Sequence, residues 1–136
     1  MKNIEDFFAK YAMASLHGKS DEIASCYASS FMVATKTQFS AFKNDDEFIK
    51  WLNQVFDFNK KAGLHKMEVI NIESDPIGEY FLKASVTWGT TFLKNPAEEI
   101  KFDIHYILNL FEKEIKIVFY ISEDDQEELM KEKGLL

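Results

Sequence analysis

Apolar and polar side chains alternate between Ile100 and Phe111, and this segment organises the predicted fold. The even positions of this segment are all apolar or aromatic, whereas most of the odd positions are polar. A side-chain period of two is typical of a β-strand that buries one face and leaves the other in water. Because 12 residues is long for a strand, we expect this segment in the middle of a curved sheet, with helices over its apolar face.

Further strands are predicted by the same period on both sides of this segment. Tyr80–Phe92 alternates most regularly, and the turn residues of 74–78 and of Asn95-Pro96 separate it from its neighbours. The additional predicted strands are residues 31–35, 38–42, 65–73, 80–92 and 115–121.

The last of these strands has two possible registers. A two-residue turn before it would place its odd positions, Ile117, Phe119 and Ile121, on the face of Tyr106. A three-residue turn would place its even positions there instead, because a shift by one residue exchanges the two faces of a strand. The sequence leaves both registers open.

Four helices are predicted from apolar residues that recur three and four positions apart. The first, residues 4–17, begins after the N-cap Asn3 and ends at Gly18. The clearest lies between Asn44, which forms a capping box with Glu47, and Gly63. The other two are residues 21–28, capped by Ser20, and 123–133, capped by Ser122.

Composition indicates one soluble domain, residues 1–136, with an aromatic-rich interior that includes 13 Phe. The net charge of −7 argues against nucleic acid and anionic membrane surfaces as partners, because both are bound through Lys and Arg. No apolar run reaches membrane-spanning length, and the N-terminus has no signal-peptide pattern. Since Cys26 is the single cysteine, we expect a reducing, cytoplasmic location.

The predicted order is helix, short helix, strand pair, long helix and four long antiparallel strands. This order resembles the nuclear transport factor 2-like, or SnoaL-like, fold. Tyr11–Phe31 (YAMASLHGKSDEIASCYASSF) is similar to that family's tyrosine-bearing first helix, its glycine break and its entry into the first strand. The resemblance implies an α+β fold in which a curved, mostly antiparallel sheet forms a cone covered by N-terminal helices.

The resemblance also implies a homodimer that associates through the sheet. The residues themselves agree with this expectation, because Phe81, Ile107 and Phe111 make the predicted solvent face of the sheet less polar than a freely hydrated face.

Steroid Δ-isomerase belongs to the same family, and its active groups can be carried over by position. Its oxyanion-hole tyrosine falls on Tyr11, whereas its general-base aspartate falls on Thr35 and its second aspartate falls on Ile104. Thr35 cannot accept a proton at neutral pH, so the isomerase reaction is not supported by this sequence.

A pocket is expected beneath the helices, where aromatic side chains of several elements converge. The same side chains could instead fill the core, so the sequence does not decide whether the cone is hollow. Tyr11 is likewise either a hydrogen-bond donor in the pocket or a core tyrosine. The residues expected to line the pocket are Tyr11, Thr35, Trp51, Phe56, Trp88, Phe102, Ile104, Tyr106 and Phe119.

Asp103 and His105 are weak catalytic candidates. They are two residues apart and therefore share one face of a strand, where they could act as an acid/base pair. However, the register that buries Phe102, Ile104 and Tyr106 turns both of them outward. The three histidines have no metal-ligand spacing and no phosphate-binding loop occurs, so no metal or cofactor is expected.

Two functions are therefore carried forward, and catalysis is left undecided between them. The first is binding of a small apolar molecule in the aromatic-lined cone. The alternative is an isomerase, dehydratase or cyclase that acts on a steroid-like or polyketide-like substrate. A scaffold with a fully packed core is a third possibility.

Overall fold

Residues 3–111 and 113–124 are described by a computed structural model. Within these ranges the chain forms three helices and six strands. In chain order they are α1 (Ile4–Leu16), α2 (Ser20–Ala24), β1 (Tyr27–Thr35), β2 (Phe39–Lys43), α3 (Asp46–Lys61), β3 (Leu64–Ile77), β4 (Phe81–Phe92), β5 (Asn95–Asn109) and β6 (Lys116–Ser122).

All six strands belong to one sheet in the order β2-β1-β6-β5-β4-β3. Neighbouring strands are antiparallel except for the parallel pair β1 and β6. Register shifts interrupt four of the five ladders, and such bulges bend and twist a sheet. The predicted fold, a curved and mostly antiparallel sheet with N-terminal helices, is confirmed.

The alternation that predicted β5 is present in the structure. The even side chains from Ile100 to Leu108 are buried against the helices. We call this side of the sheet the inner face and the opposite side, which carries Asp103 and His105, the outer face. Helix α1 covers the inner face through Phe8, which is fully buried and packs its ring 6.2 Å from that of Trp88.

The first helix begins and ends as predicted. Asn3 is its N-cap, and its side-chain oxygen accepts a hydrogen bond from the backbone N–H of Asp6 at 3.0 Å. Gly18 follows the helix with a φ of 65°, a left-handed conformation that costs glycine little. By contrast, α2 ends at Ala24 because β1 already begins at Tyr27.

Two predicted helix caps are wrong. The N-cap of α3 is Asp45, whose carboxylate accepts from the N–H of Phe48 at 3.2 Å. The Asn44 side chain instead donates to the carbonyl of Tyr27 at 3.1 Å, which ties the start of α3 to β1. Ser20 is the first residue of α2 rather than its cap, and its hydroxyl donates to the side chain of Asn53 on α3.

Strand β6 combines both of the registers that the sequence left open. Ile117 pairs with Leu108, but the ladder shifts by one residue and Tyr120 then pairs with Tyr106. Odd and even positions of β6 therefore both contribute to the inner face, on either side of the bulge.

Two further predictions concern chain segments near the turns and the C-terminus. Strand β3 continues to Ile77 through most of the predicted 74–78 turn, and the chain reverses around Gly78 instead. The predicted helix of residues 123–133 lies outside the described residues, apart from its first two positions. No helix in the described ranges is both long and apolar enough to cross a bilayer.

The replacement Gly63→Ala should destabilise the fold by about 1–2 kcal/mol, because Gly63 ends α3 with a φ of 83° that is unfavourable for L-residues. An added Cβ would meet Leu93 at 3.5 Å, an ordinary contact, so the cost arises from the backbone. Urea unfolding of the two proteins measures the difference.

Gly89→Ala is the matched control. Gly89 lies in β4, and the Cβ would meet the ends of the Ile70 and Glu99 side chains at 2.8 and 2.9 Å, both of which can move aside. A loss of stability at position 89 that equals the loss at position 63 would contradict the backbone explanation.

Candidate ligand-binding site

Four buried aromatic side chains with polar atoms lie at the centre of the inner face, and we call them the hydroxyl cluster: Tyr11, Tyr27, Trp88 and Tyr106. The hydroxyl groups of Tyr11 on α1 and Tyr27 on β1 are 2.8 Å apart. The indole N–H of Trp88 on β4 donates to the hydroxyl of Tyr106 on β5 at 3.1 Å. Each polar atom of the cluster thus has a hydrogen-bond partner, as burial requires.

Burial also fixes the protonation of these phenols. Desolvation raises the pKa values of Tyr11, Tyr27 and Tyr106 well above 10, since a phenolate would lose its hydration there. Neighbouring tyrosines raise the pKa of Tyr11 and Tyr106 further. The cluster therefore contains neutral hydroxyl groups that can donate hydrogen bonds but cannot act as bases near neutral pH.

The centre of the cone is packed rather than hollow. Phe8 fills the space over the hydroxyl cluster, with its ring 5.0 Å from that of Tyr106. Of the nine residues expected to line a pocket, five lie in this buried core: Tyr11, Trp88, Phe102, Ile104 and Tyr106.

An open pocket of about 170 Å³ lies to one side of this core, between the first turns of α3 and the inner face of β1, β2 and β6. We call it the aromatic pocket. Two of the predicted residues, Thr35 and Trp51, belong to it. Its lining consists of Phe31, Val33, Thr35, Gln38, Ser40, Phe42, Phe48, Trp51 and Tyr120.

Two stacked pairs of rings dominate the aromatic pocket. Phe31 and Phe42, which are directly opposite each other on β1 and β2, have centroids 5.7 Å apart and ring planes inclined by 13°. Phe48 and Trp51, one turn apart on α3, have centroids 6.1 Å apart and planes inclined by 18°. Trp51 is 51% exposed, so one wall of the pocket is open to solvent.

Polar groups occur at Thr35, Gln38 and Ser40, at and around the turn that joins β1 and β2. The Thr35 hydroxyl accepts a hydrogen bond from the backbone N–H of Gln38 at 3.1 Å, which orders this turn. The Tyr120 ring packs edge-on against Tyr106 at 5.6 Å and so separates the pocket from the hydroxyl cluster. None of the nine lining residues has a carboxylate or an imidazole group.

Asp103 and His105 lie on the outer face, as predicted from the alternation of β5. Thr87 donates its hydroxyl hydrogen to the Asp103 carboxylate at 2.6 Å, and Ser85 lies 2.7 Å from Nδ1 of His105. Both partners are cross-strand neighbours on β4. The pair is therefore on the opposite side of the sheet from the aromatic pocket.

The placement expected for Phe119 is wrong. Because of the bulge in the β5–β6 ladder, Phe119 pairs with Ile107 and shares the outer face with it. Its ring lies 6.0 Å from that of Phe39, which is 65% exposed.

Phe56 lies in a different cavity from Thr35 and Trp51. It lines a more polar cleft of about 740 Å³ between the end of α1, the second half of α3 and the start of β3. The cleft also contains His17, Asp57 and Lys60. Residues of the predicted site are thus divided among the core, the aromatic pocket, this cleft and the outer face.

The remaining reactive side chains do not converge. Burial raises the pKa of the Cys26 thiol to about 11, so that it stays protonated and poorly nucleophilic. His17 follows α1, whereas His65 lies in β3 and His105 in β5. Across residues 3–111 and 113–124, no group of three His, Cys, Asp or Glu side chains is placed to hold a metal ion.

Most of the aromatic pocket was missed by sequence reasoning. The sequence places Phe48 in the predicted helix between Asn44 and Gly63, and Phe31 and Phe42 in the predicted strands 31–35 and 38–42. The available signal was the hairpin: a tight connection between the two strands pairs Phe31 with Phe42 and places both on one face. The adjoining helix then adds Phe48 and Trp51 to the same side.

No protein-family model and no curated protein matches this sequence. Solved structures do match. A nuclear transport factor 2-like protein of unknown function from Shewanella oneidensis is 15% identical with a TM-score of 0.67, covering 88% of this chain and 94% of its own. A domain of unknown function with a cystatin-like fold from Nostoc punctiforme is 14% identical with a TM-score of 0.68. The alignment covers 96% of this chain and 82% of that domain.

A third structure of this kind was solved with a small molecule. It is a hypothetical protein with a ketosteroid isomerase-like fold from Catenulispora acidiphila, in complex with trimethylamine. It is 10% identical to this chain with a TM-score of 0.61, and the alignment covers 98% of this chain and 96% of the other. These similarities confirm the nuclear transport factor 2-like fold that the sequence resemblance implied.

Stability should fall as the pH rises above about 10, because phenols freed by unfolding ionise near that value whereas the buried phenols stay protonated. The unfolded state then binds fewer protons than the folded state, and each such phenol contributes a slope of about 1.4 kcal/mol per pH unit. Below pH 10 this contribution to stability is fully present. Urea unfolding between pH 8 and 11 measures the slope.

Tyr120→Phe removes one of these phenols and keeps the ring. Its slope above pH 10 should be shallower, because burial raises the pKa of the Tyr120 phenol, whereas the lysines ionise alike in both proteins. An unchanged slope would show that Tyr120 ionises normally in the folded protein.

Proposed function

We propose that this chain, which has the nuclear transport factor 2-like fold, binds a small apolar molecule in the aromatic pocket. The observation that carries the proposal is Trp51, a large aromatic side chain left 51% exposed at the edge of a space that four other aromatic rings line. An indole without a covering partner loses the free energy that burial would provide, and a ligand seated against it would supply that cover.

The volume of the aromatic pocket indicates the size of the ligand. At about 170 Å³, it lies below the range of roughly 300–1,000 Å³ that holds drug-sized molecules. An apolar cavity of about 150 Å³ is enough to bind benzene. The pocket therefore suits a single ring or a compact branched group better than a steroid or a polyketide.

The few polar groups of the pocket suit orientation rather than chemistry. Gln38 and Ser40 offer an amide and a hydroxyl group beside otherwise apolar walls, a division typical of small-molecule sites. The lining residues provide no carboxylate, imidazole or amine, and burial raises the pKa of their one phenol, Tyr120, which makes it a poor base near neutral pH. We therefore propose binding in preference to an isomerase, dehydratase or cyclase activity.

A structure of similar fold supports a ligand of this size. The Catenulispora acidiphila protein was solved in complex with trimethylamine, which has four heavy atoms. Its identity to this chain is 10%, so it supports the capacity of the fold to hold a small molecule and not the identity of the ligand.

We also propose that two copies associate through the outer face. Apolar side chains continue across this face from Phe39 and Phe119 to Ile107 and on to Phe81, and Phe39 and Phe81 are 65% and 38% exposed. The described helices pack on the inner face, so none of them covers these residues. Two identical, self-complementary sheets would bury them in a twofold dimer.

Val33→Phe should abolish binding of a benzene-sized probe. The added ring would project from the inner face of β1 into the aromatic pocket and fill much of its volume. With benzene, toluene and phenol at saturating concentration, the melting temperature of the natural chain should rise and that of the variant should not. No rise with any probe in the natural chain would remove the support for this function.

Met32→Phe is the control for that experiment. Met32 precedes Val33 and pairs with Phe119 on the outer face. The substitution therefore adds the same ring as Val33→Phe, but on the other side of the sheet. This variant should retain the probe-induced rise. A loss of the rise in both variants would indicate general damage to β1 and not a filled pocket.

Ile107→Lys should convert the dimer to a monomer. Each copy would place an unpaired ammonium group at the centre of the twofold interface, where burying the charge is costly. Sedimentation velocity of the two proteins measures the change in mass. Met13→Lys, at a 53% exposed position of α1, is the control and should leave the assembly unaltered. A natural chain that sediments as a monomer at micromolar concentration would overturn this proposal.

A further inference from the structure

We propose that the aromatic pocket selects a methylated ammonium ion over a neutral group of the same shape. This inference rests on the proposed function and names the chemical class of its ligand. It is carried by the arrangement of the aromatic rings and by the chemistry of the remaining lining residues.

Four rings of the pocket form a closed circuit in which each ring neighbours the next. The successive centroid distances are 5.7 Å from Phe31 to Phe42, 6.4 Å from Phe42 to Trp51, 6.1 Å from Trp51 to Phe48 and 4.8 Å from Phe48 to Phe31. One stacked pair comes from the sheet and the other from α3. Together the four rings form an aromatic wall, and a cation in the adjoining space beside the half-exposed Trp51 would lie within about 6 Å of a ring, the distance at which a cation and a ring attract each other.

The electrostatics of aromatic rings favour a cation at this position. The faces of Phe and Trp rings carry partial negative charge, and Trp gives the strongest cation–π interaction. Tyr120 adds a fifth ring from β6. Groups of aromatic rings are the usual means by which proteins recognise quaternary ammonium ions such as choline and methylated lysine.

The absence of a carboxylate from the lining residues distinguishes between kinds of cation. A primary ammonium is strongly hydrated, and the polar groups of Thr35, Gln38 and Ser40 are all neutral, so no lining residue replaces its hydration as a carboxylate would. A trimethylated nitrogen has no N–H groups, and its charge is spread over methyl groups that pack against rings. The pocket is therefore suited to methylated nitrogen rather than to a free amine.

The charges around the pocket do not oppose a cation. The N-terminal end of α3 is positive, but Asp45, Asp46 and Glu47 lie at that end and offset the helix dipole. Lys50, one turn further, is paired with Glu47 at 3.5 Å. The net charge of −7 on the whole chain also raises the local concentration of cations.

A matched pair of ligands tests this inference. Choline and 3,3-dimethylbutan-1-ol have nearly the same shape and the same hydroxyl group, and they differ in whether the central atom is a charged nitrogen or a neutral carbon. Titration calorimetry of the full chain should give an affinity for choline about 3- to 30-fold higher than that for the alcohol, the range expected from cation–π contacts. Amide chemical shifts of β1 and β2 should change with both ligands and place them in the aromatic pocket.

Two variants separate the effect of the rings from that of apolar packing. Trp51→Leu and Phe42→Leu keep an apolar side chain but remove a ring face, so each should lose most of the preference for choline while still binding the alcohol. Phe58→Leu removes another exposed ring of α3, one that is not among the lining residues, and should keep the preference. Circular dichroism confirms folding of each variant before titration.

The outcomes distinguish this inference from the proposed function. If the alcohol binds in the pocket as tightly as choline, the selection of cations is overturned and binding of small apolar molecules stands. If neither ligand changes the amide shifts of β1 and β2, both proposals fail for these ligands. If choline keeps its advantage in Trp51→Leu and in Phe42→Leu, a source of selectivity other than the rings is shown and the inference is overturned.

Discussion

The interior of this protein depends on aromatic rings whose polar atoms must be paired once they are buried. Packing α1 on the sheet removes the hydroxyl groups of Tyr11, Tyr27 and Tyr106 and the indole N–H of Trp88 from water. A buried hydroxyl without a partner costs about 1–3 kcal/mol. The pairs Tyr11–Tyr27 and Trp88–Tyr106 avoid that cost, and each pair joins two different elements. The positions of α1, β1, β4 and β5 are therefore fixed by hydrogen-bond geometry as well as by contact area.

Because the centre of the inner face is closed in this way, the aromatic pocket and the cleft beside α1 lie towards its margins. The aromatic pocket lies between the first turns of α3 and the strands β1, β2 and β6, and its lining includes no residue of α1. Its walls are stacked Phe and Trp rings, and Phe31, Phe48 and Tyr120 lie between it and the hydroxyl cluster. The same sheet thus holds a packed, hydrogen-bonded centre and a smaller apolar recess, and a ligand site does not require the cone to be hollow.

Local patterns allowed much of the fold to be predicted, and tertiary pairing explains what they missed. The alternation of β5 gave its buried face and the outward direction of Asp103 and His105, since each depends only on neighbours in the chain. The register of β6 depends on a bulge opposite Ile107, which no pattern within β6 encodes. That single shift moved Phe119 to the outer face and brought Tyr120 to the pocket.

The capping of α3 has the same explanation. Both Asn44 and Asp45 are good N-cap residues, and the choice between them was decided by two carbonyl groups of the preceding segment, to which the Asn44 amide donates. The pocket residues were likewise recognisable as apolar, but not as neighbours. Their proximity depends on the β1–β2 hairpin and on the position of α3 after it. Side-chain periodicity predicts neither of these.

The alternation within β6 has a mechanical consequence. Tyr120 forms a wall of the aromatic pocket, while the residues on either side of it, Phe119 and Ile121, project from the outer face. Planar peptide units join these residues and hold consecutive Cα atoms about 3.8 Å apart. The recess and the apolar outer face therefore share one segment of backbone, and a backbone displacement at Tyr120 also reaches Phe119 and Ile121.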